Sequence, residues 1–70
     1  MIVVRQVYEL TLRKDLRLPR EEPIPTGTVL KRGDGFQMFL DKEPGFVEIA
    51  KFPGGNPVLV SVNDVENLQL

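Results

Sequence analysis

Cysteine and histidine are both absent from the 70-residue chain. Their absence removes the Cys–His dyad, the Ser–His–Asp triad and the histidine proton shuttle as routes to catalysis. It also removes the two ligand types that structural zinc sites rely on. The remaining reactive groups are carboxylates, lysines, hydroxyls and the single tyrosine, Tyr8. Two Asp-x-Glu pairs occur, Asp41/Glu43 and Asp64/Glu66. Alternate residues of a strand share a face, and paired carboxylates suit magnesium or calcium. Asp41 and Glu43 flank a Pro-Gly turn, however, where solvated charge is ordinary. Asp64 and Glu66 suit the first turn of a helix. No Gly-x-x-x-x-Gly-Lys-Ser/Thr loop is present, and Gly33-x-Gly35 lacks the third glycine of a dinucleotide fingerprint. The expectation is a chain with no catalytic residue, no cofactor and no metal. An active site formed only between subunits is the enzymatic reading that survives.

Three binding features remain. Arg32-Gly33-Asp34 spells the tripeptide that integrins recognise, yet its glycine and aspartate are also what a tight hairpin requires. The hairpin is the expected use. Basic residues cluster early: Arg13, Lys14, Arg17 and Arg20 fall within eight positions, whereas residues 21–70 are net acidic. Folded beside Lys31 and Arg32, these six would form a phosphate-binding patch for nucleic acid. No aromatic residue interleaves them, so base stacking is not expected there. The ordinary alternative is a solvated strand edge, where lysine and arginine discourage aggregation.

The third feature is apolar residues of both parities along the later strands. If Phe36, Met38 and Leu40 point inward, Phe39 points out. If Val47 and Ile49 point inward, Phe46 and Phe52 point out. Leu59 opposes Val58, Val60 and Val62 in the same way. Phe39, Phe46, Phe52 and Leu59 therefore form a candidate partner-binding surface. The alternative is a second small core, made when the Pro-rich loop 13–26 with Ile24, or the tail, folds over them.

The elements that must position these residues follow from periodicity. Apolar residues at 8, 10, 12, 16 and 18 alternate with Glu9, Thr11, Arg13, Asp15 and Arg17, which predicts a strand over about residues 2–12. Three of the six prolines lie in residues 19–26, predicting a loop of partly polyproline II character. Strands are then expected over 28–32, 36–40, 46–52 and 58–62, punctuated by Gly33-Asp34-Gly35, by the Pro44-Gly45 turn and by Pro53-Gly54-Gly55-Asn56-Pro57. In the tail, Asn63 and Glu66 have capping-box spacing, and one 3₁₀ turn followed by a short strand is the economical reading.

This order resembles the SH3-like small β-barrels: a first strand at Val7-Tyr8-Glu9-Leu10, a long loop, a meander, a 3₁₀-like turn and a final strand over 65–70. The resemblance implies one all-β domain over residues 1–70, a barrel of five to six short strands with a 3₁₀ turn near the C-terminus. It names no activity, because many functions share the fold. The tryptophan of proline-peptide-binding SH3 domains is absent. The Val-Gln-Ile-Tyr strand of a barrel-type dihydrofolate reductase has only Val60-Ser61-Val62-Asn63 as a counterpart here.

A core this thin seldom supplies more than about 3–5 kcal/mol on its own. With no disulfide or zinc to reinforce it, association with a protein partner or with further copies is expected. The formal charge of −1 provides no global attraction to nucleic acid or membrane. The start is apolar for only four residues and no apolar run reaches spanning length, so the expected compartment is the cytoplasm. The function this combination predicts is a non-catalytic interaction module or small accessory subunit, with nucleic-acid binding as the alternative.

Overall fold

The computed structural model describes residues 3–70. Met1 and Ile2 lie outside the described residues, and with Ile2 the predicted start of the first strand. Seven short strands form two antiparallel sheets: β1 (Arg5–Gln6), β2 (Glu9–Leu12), β3 (Val29–Lys31), β4 (Phe36–Leu40), β5 (Phe46–Lys51), β6 (Val58–Ser61) and β7 (Val65–Gln69). The larger sheet runs β1-β4-β5-β6 and the smaller β3-β2-β7. The fold is thus all-β, with 3₁₀ turns at Arg32–Asp34 and Val62–Asp64 as its only helical pieces among the described residues. The strand pairings leave two open sheets rather than one closed ring.

The predicted first strand is divided because it serves both sheets. Val7 N–H donates to the Met38 carbonyl at 2.8 Å, extending the β1–β4 ladder. One residue later Tyr8 N–H donates to the Gln69 carbonyl at 2.7 Å, on the other sheet. The chain therefore turns a corner at Val7–Tyr8. A second corner stands where a hairpin was expected. Lys31 and Phe36 belong to different sheets, and the Arg32–Asp34 turn between them ends on Gly35, whose φ of +88° is left-handed. Glycine reaches that region without the Cβ clash that burdens other residues.

Residues 13–27 are the expected loop, made of turns and bends, and one isolated β-bridge orders it as an arm. Gly27 N–H donates to the Leu12 carbonyl at 2.7 Å. Leu16 and Ile24 exchange two backbone hydrogen bonds of 2.8 Å. The arm thus continues the β2–β3 ladder past the end of both strands. Its Leu16 and Leu18 are buried, and Ile24 packs on the same cluster.

That cluster lies between the sheets. Val7, Leu10, Leu12, Leu30, Met38, Val47 and Ile49 are all almost completely buried. The tail reaches it through a β-bulge. Thr11 pairs with Glu66 but Glu9 pairs with Gln69, so β7 carries one residue more than β2 between these points. Asn67, at φ +53°, occupies that region. The extra residue lets Val65 and Leu68, three apart, both reach the core. The predicted Asn63/Glu66 capping box is replaced by Ser61, whose hydroxyl accepts the Asn63 N–H at 3.2 Å.

Candidate interaction surface

On the outer face of the larger sheet, strand register sets Gln6, Phe39, Glu48 and Leu59 side by side across four strands. Phe46 lies two residues before Glu48 on the same face, opposite Ser61. Phe46 and Leu59 are thus diagonal neighbours, a separation of roughly 7–8 Å that large side chains bridge. Both are exposed, at 38% and 53% of their surface. Phe39 is half-buried. The Lys42 ammonium sits 5.3 Å from its ring centroid and 3.2 Å from Glu48 Oε1, so an ion pair covers the ring and splits the row. Phe52 is exposed but stands six residues along the chain from Phe46, about 20 Å at strand spacing. The four residues expected to make one patch therefore divide: Phe46 and Leu59 together, Phe39 under Lys42, and Phe52 at the far end. Ile24 does not cover them, since it packs on the main core instead.

Phe46 and Leu59 form part of the lining of an open groove of about 870 Å³. β6 lines the rest of it together with the arm, which brings Arg13, Lys14, Asp15, Arg17 and Thr26, and with Asp64. Leu59 also faces a smaller cleft of about 180 Å³ lined by Lys42, Glu48 and Pro57. The arm is held in place at both ends. Arg13 N–H donates to the Asp64 carbonyl at 2.8 Å. Thr26 donates to Asp15 Oδ1 twice, from its backbone N–H at 2.8 Å and from its hydroxyl at 2.9 Å. Those two bonds, backbone first, hold the Asp15 carboxyl below its ordinary pKa, with Arg17 nearby adding to the effect.

No family model matches the chain, and neither the curated proteins nor the solved structures compared with it provide a match. Its chemistry must be judged from its own residues.

The six basic residues expected to form one patch separate into two groups. Arg13, Lys14 and Arg17 gather on the groove, and Arg20 follows at the arm's tip with φ +63°. Lys31 is opposite Glu9, four residues back along β2 from Arg13, with its ammonium 3.9 Å from the carboxylate. Arg32 donates to Gln6 Oε1 at 3.2 Å and lies 5.8 Å from the Tyr8 ring centroid. The β2–β3 register thus pins this second group roughly 13 Å along the sheet from the first.

The acidic pairs also separate. Arg5 holds the Asp41 carboxylate at 2.8 Å. Asp64 ends the second 3₁₀ turn, and Glu66 points to solvent from β7. Among the described residues no three carboxylates gather closely enough to hold a metal ion. Arg32-Gly33-Asp34 is exposed, but as a corner between sheets rather than a hairpin tip.

Proposed function

We propose that this chain is an SH3-like small β-barrel domain acting in the cytoplasm as a non-catalytic interaction module, with Phe46 and Leu59 as the centre of its contact surface. The order strand, arm, meander, 3₁₀ turn, strand supports the fold assignment, as do two corners where one chain path passes between sheets. The observation that carries the function is the exposed Phe46–Leu59 pair on a groove that β6 and the arm also line. Large apolar side chains of this kind, set beside a concavity, are typical interface anchors. Phe39 becomes a contact only if Lys42 moves aside, and Phe52 acts separately.

The test is the double variant Phe46→Ser, Leu59→Glu. Because both side chains are exposed, the fold is expected to keep its melting temperature within a few degrees. Self-association in sedimentation, or retention of specific proteins from the native host's extract, is expected to fall at least tenfold. Equal association by a folded double variant refutes this surface. Unfolding of the variant would assign the two residues to the core instead.

A further inference from the structure

Hydrogen-bond phase identifies which backbone groups of β6 have no partner. Val62 N–H donates to the Gly45 carbonyl at 3.1 Å, and Gly45 and Val62 continue the β5–β6 register in which Phe46 faces Ser61. In an antiparallel ladder such bonded pairs alternate with unbonded ones. Val60 and Val58 therefore bond to Val47 and Ile49, whereas Leu59 and Ser61 turn their N–H and C=O groups away from the sheet. They turn towards the groove, because β6 is the last strand of its sheet.

Sheet edges are normally blunted by charge, proline or cover. The other three edge strands follow that rule: β1 carries Arg5, β3 carries Lys31 and β7 carries Glu66. β6 is Val-Leu-Val-Ser, without a charge. Across the groove stand Arg13, Lys14 and Arg17, none of which has a carboxylate within ion-pair distance among the described residues. Arg5, Lys31, Lys42 and Lys51 are all paired. Asp15 and Asp64 also line the groove, and Asp15 takes both bonds from Thr26 on Oδ1 with Arg17 nearby, but neither carboxylate comes within ion-pair distance of the three cations.

We propose that the free edge of β6 accepts an added strand from an extended acidic polypeptide segment, whose carboxylates meet Arg13, Lys14 and Arg17 across the groove. This deepens the reading of the surface as an interaction site and rests on it. Strand addition supplies affinity through main-chain bonds and specificity through alternate side chains. One parity of the incoming strand lies beside Leu59 and Phe46 and is apolar. The other points to the arm and is acidic. A second copy of this chain is the poorer occupant: pairing β6 with β6 would bring two arms, three free cations from each, into one junction.

The test uses the full chain and four fluorescent peptides. One alternates valine with glutamate, one alternates valine with lysine, one is a scrambled-order glutamate peptide, and one is the Val/Glu peptide N-methylated on one edge. The Val/Glu peptide is expected to bind at least tenfold more tightly than the other three. It is also expected to slow hydrogen exchange of the Leu59 and Ser61 amides. Ser61→Pro is the decisive variant. Ser61 has φ −58°, close to proline's fixed value, and its N–H faces the groove, so proline fits the strand and removes the edge donor. Ser61→Pro is expected to lose at least tenfold in binding while Ser61→Ala, which loses the same hydroxyl, keeps it. Arg13→Glu with Arg17→Glu is expected to reverse the peptide preference. If Ser61→Pro does not fold, the N-methylated peptide on the unaltered chain tests the same main-chain bonding from the other side.

Equal binding of all four peptides overturns the proposal. So does protection of Leu59 and Ser61 by dimerisation without peptide, or preferential binding of a single-stranded oligonucleotide to the three cations. Failure of every peptide, alongside partner retention that still depends on Phe46 and Leu59, refutes strand addition while leaving the wider surface standing. Loss of that retention dependence as well would refute both.

Discussion

The bulge in β7 yields the most exacting test of the fold. Asn67 sits at φ +53°, in the left-handed region, where β7 has one residue more than β2. Asparagine tolerates that region better than most residues other than glycine, whereas a Cβ-branched side chain does not. Asn67→Val is therefore expected to cost about 1–2 kcal/mol. Asn67→Gly is expected to be neutral or to stabilise by a few tenths. For a domain of this size 1 kcal/mol corresponds to roughly 4–8 °C in Tm, so valine should lower the midpoint by about 4–16 °C.

Deleting Asn67 is the sharper perturbation. It joins Glu66 to Leu68 and restores one register along the pair, with Leu68 opposite Leu10 and Gln69 still opposite Glu9. Val65 and Leu68 would still face the core, now two positions apart, as regular alternation requires. The shortened chain is thus expected to fold, with its Tm within a few degrees of the parent. Thermal and urea unfolding followed by circular dichroism measure all three variants. A valine variant as stable as the parent, or a deletion that unfolds the domain, would refute the assignment of Asn67 as the inserted residue.

Four other outcomes follow from the same geometry. Met38→Ala removes a side chain with no exposed surface and should cost about 2–5 kcal/mol, enough to leave much of a domain worth about 3–5 kcal/mol unfolded in urea titration at 37 °C. Gly55→Ala would set a Cβ 2.7 Å from the Lys51 carbonyl oxygen, a backbone atom with little room to yield, and should lower stability by about 1–3 kcal/mol in the same titration. The Asp15 carboxyl should titrate below 3.8, so its hold on the arm is complete above that pH and lost as the pH falls through its own lower value. Amide exchange at Leu16 and Ile24 reports this, and Asp15→Ala should show fast exchange at every pH. Saturation of the β6 edge by the Val/Glu peptide at 100 times its Kd should add about 2.7 kcal/mol to the unfolding free energy of the parent, and the same peptide concentration should add no more than about 1.4 kcal/mol to Ser61→Pro.

Legibility in the sequence followed the range of the interaction responsible. Glycine and proline clusters mark turns locally, and they place Phe36–Leu40 to the residue and Phe46–Lys51 and Val58–Ser61 to within one. Alternation within those strands also places Phe46 and Leu59 outside. The sheet change at Val7–Tyr8 has no local mark, because both residues favour strand and the change is set by Met38 and Gln69 far along the chain. Gly33-Asp34-Gly35 suits a hairpin and a corner equally, since both need a left-handed glycine; only the partners of β3 and β4 distinguish them. The arm reads as a proline loop until Leu16 meets Ile24 and Asp15 meets Thr26. Lys31 and Arg32 separate from Arg13 because β2–β3 register decides their neighbours, and that register is not visible in their spacing. One signal in the tail does point to its irregularity: Val65 and Leu68, apolar and three apart, straddle an asparagine, a spacing that a strand satisfies only through a bulge.

The two sheets are joined at Val7–Tyr8 and across the Arg32–Asp34 turn, where continuous chain supplies the hydrogen bonds that a barrel closure would otherwise need. On the opposite side the chain passes from β6 to β7 through Val62–Asp64, and that short turn leaves the length of β6 without a neighbour. The arm approaches this edge but bonds to Leu12, Asp64 and itself, never to Leu59 or Ser61 among the described residues. An edge left bare merely because the chain was too short to cover it would need the charged guard that β1, β3 and β7 carry. Here the charges stand across the groove instead, on Arg13, Lys14 and Arg17. From that position they leave the edge open to a strand of opposite charge while repelling a second copy of the same arm. Both the missing guard and the displaced cations are therefore accounted for by one occupant, an acidic strand, and neither is accounted for by stability of the lone domain.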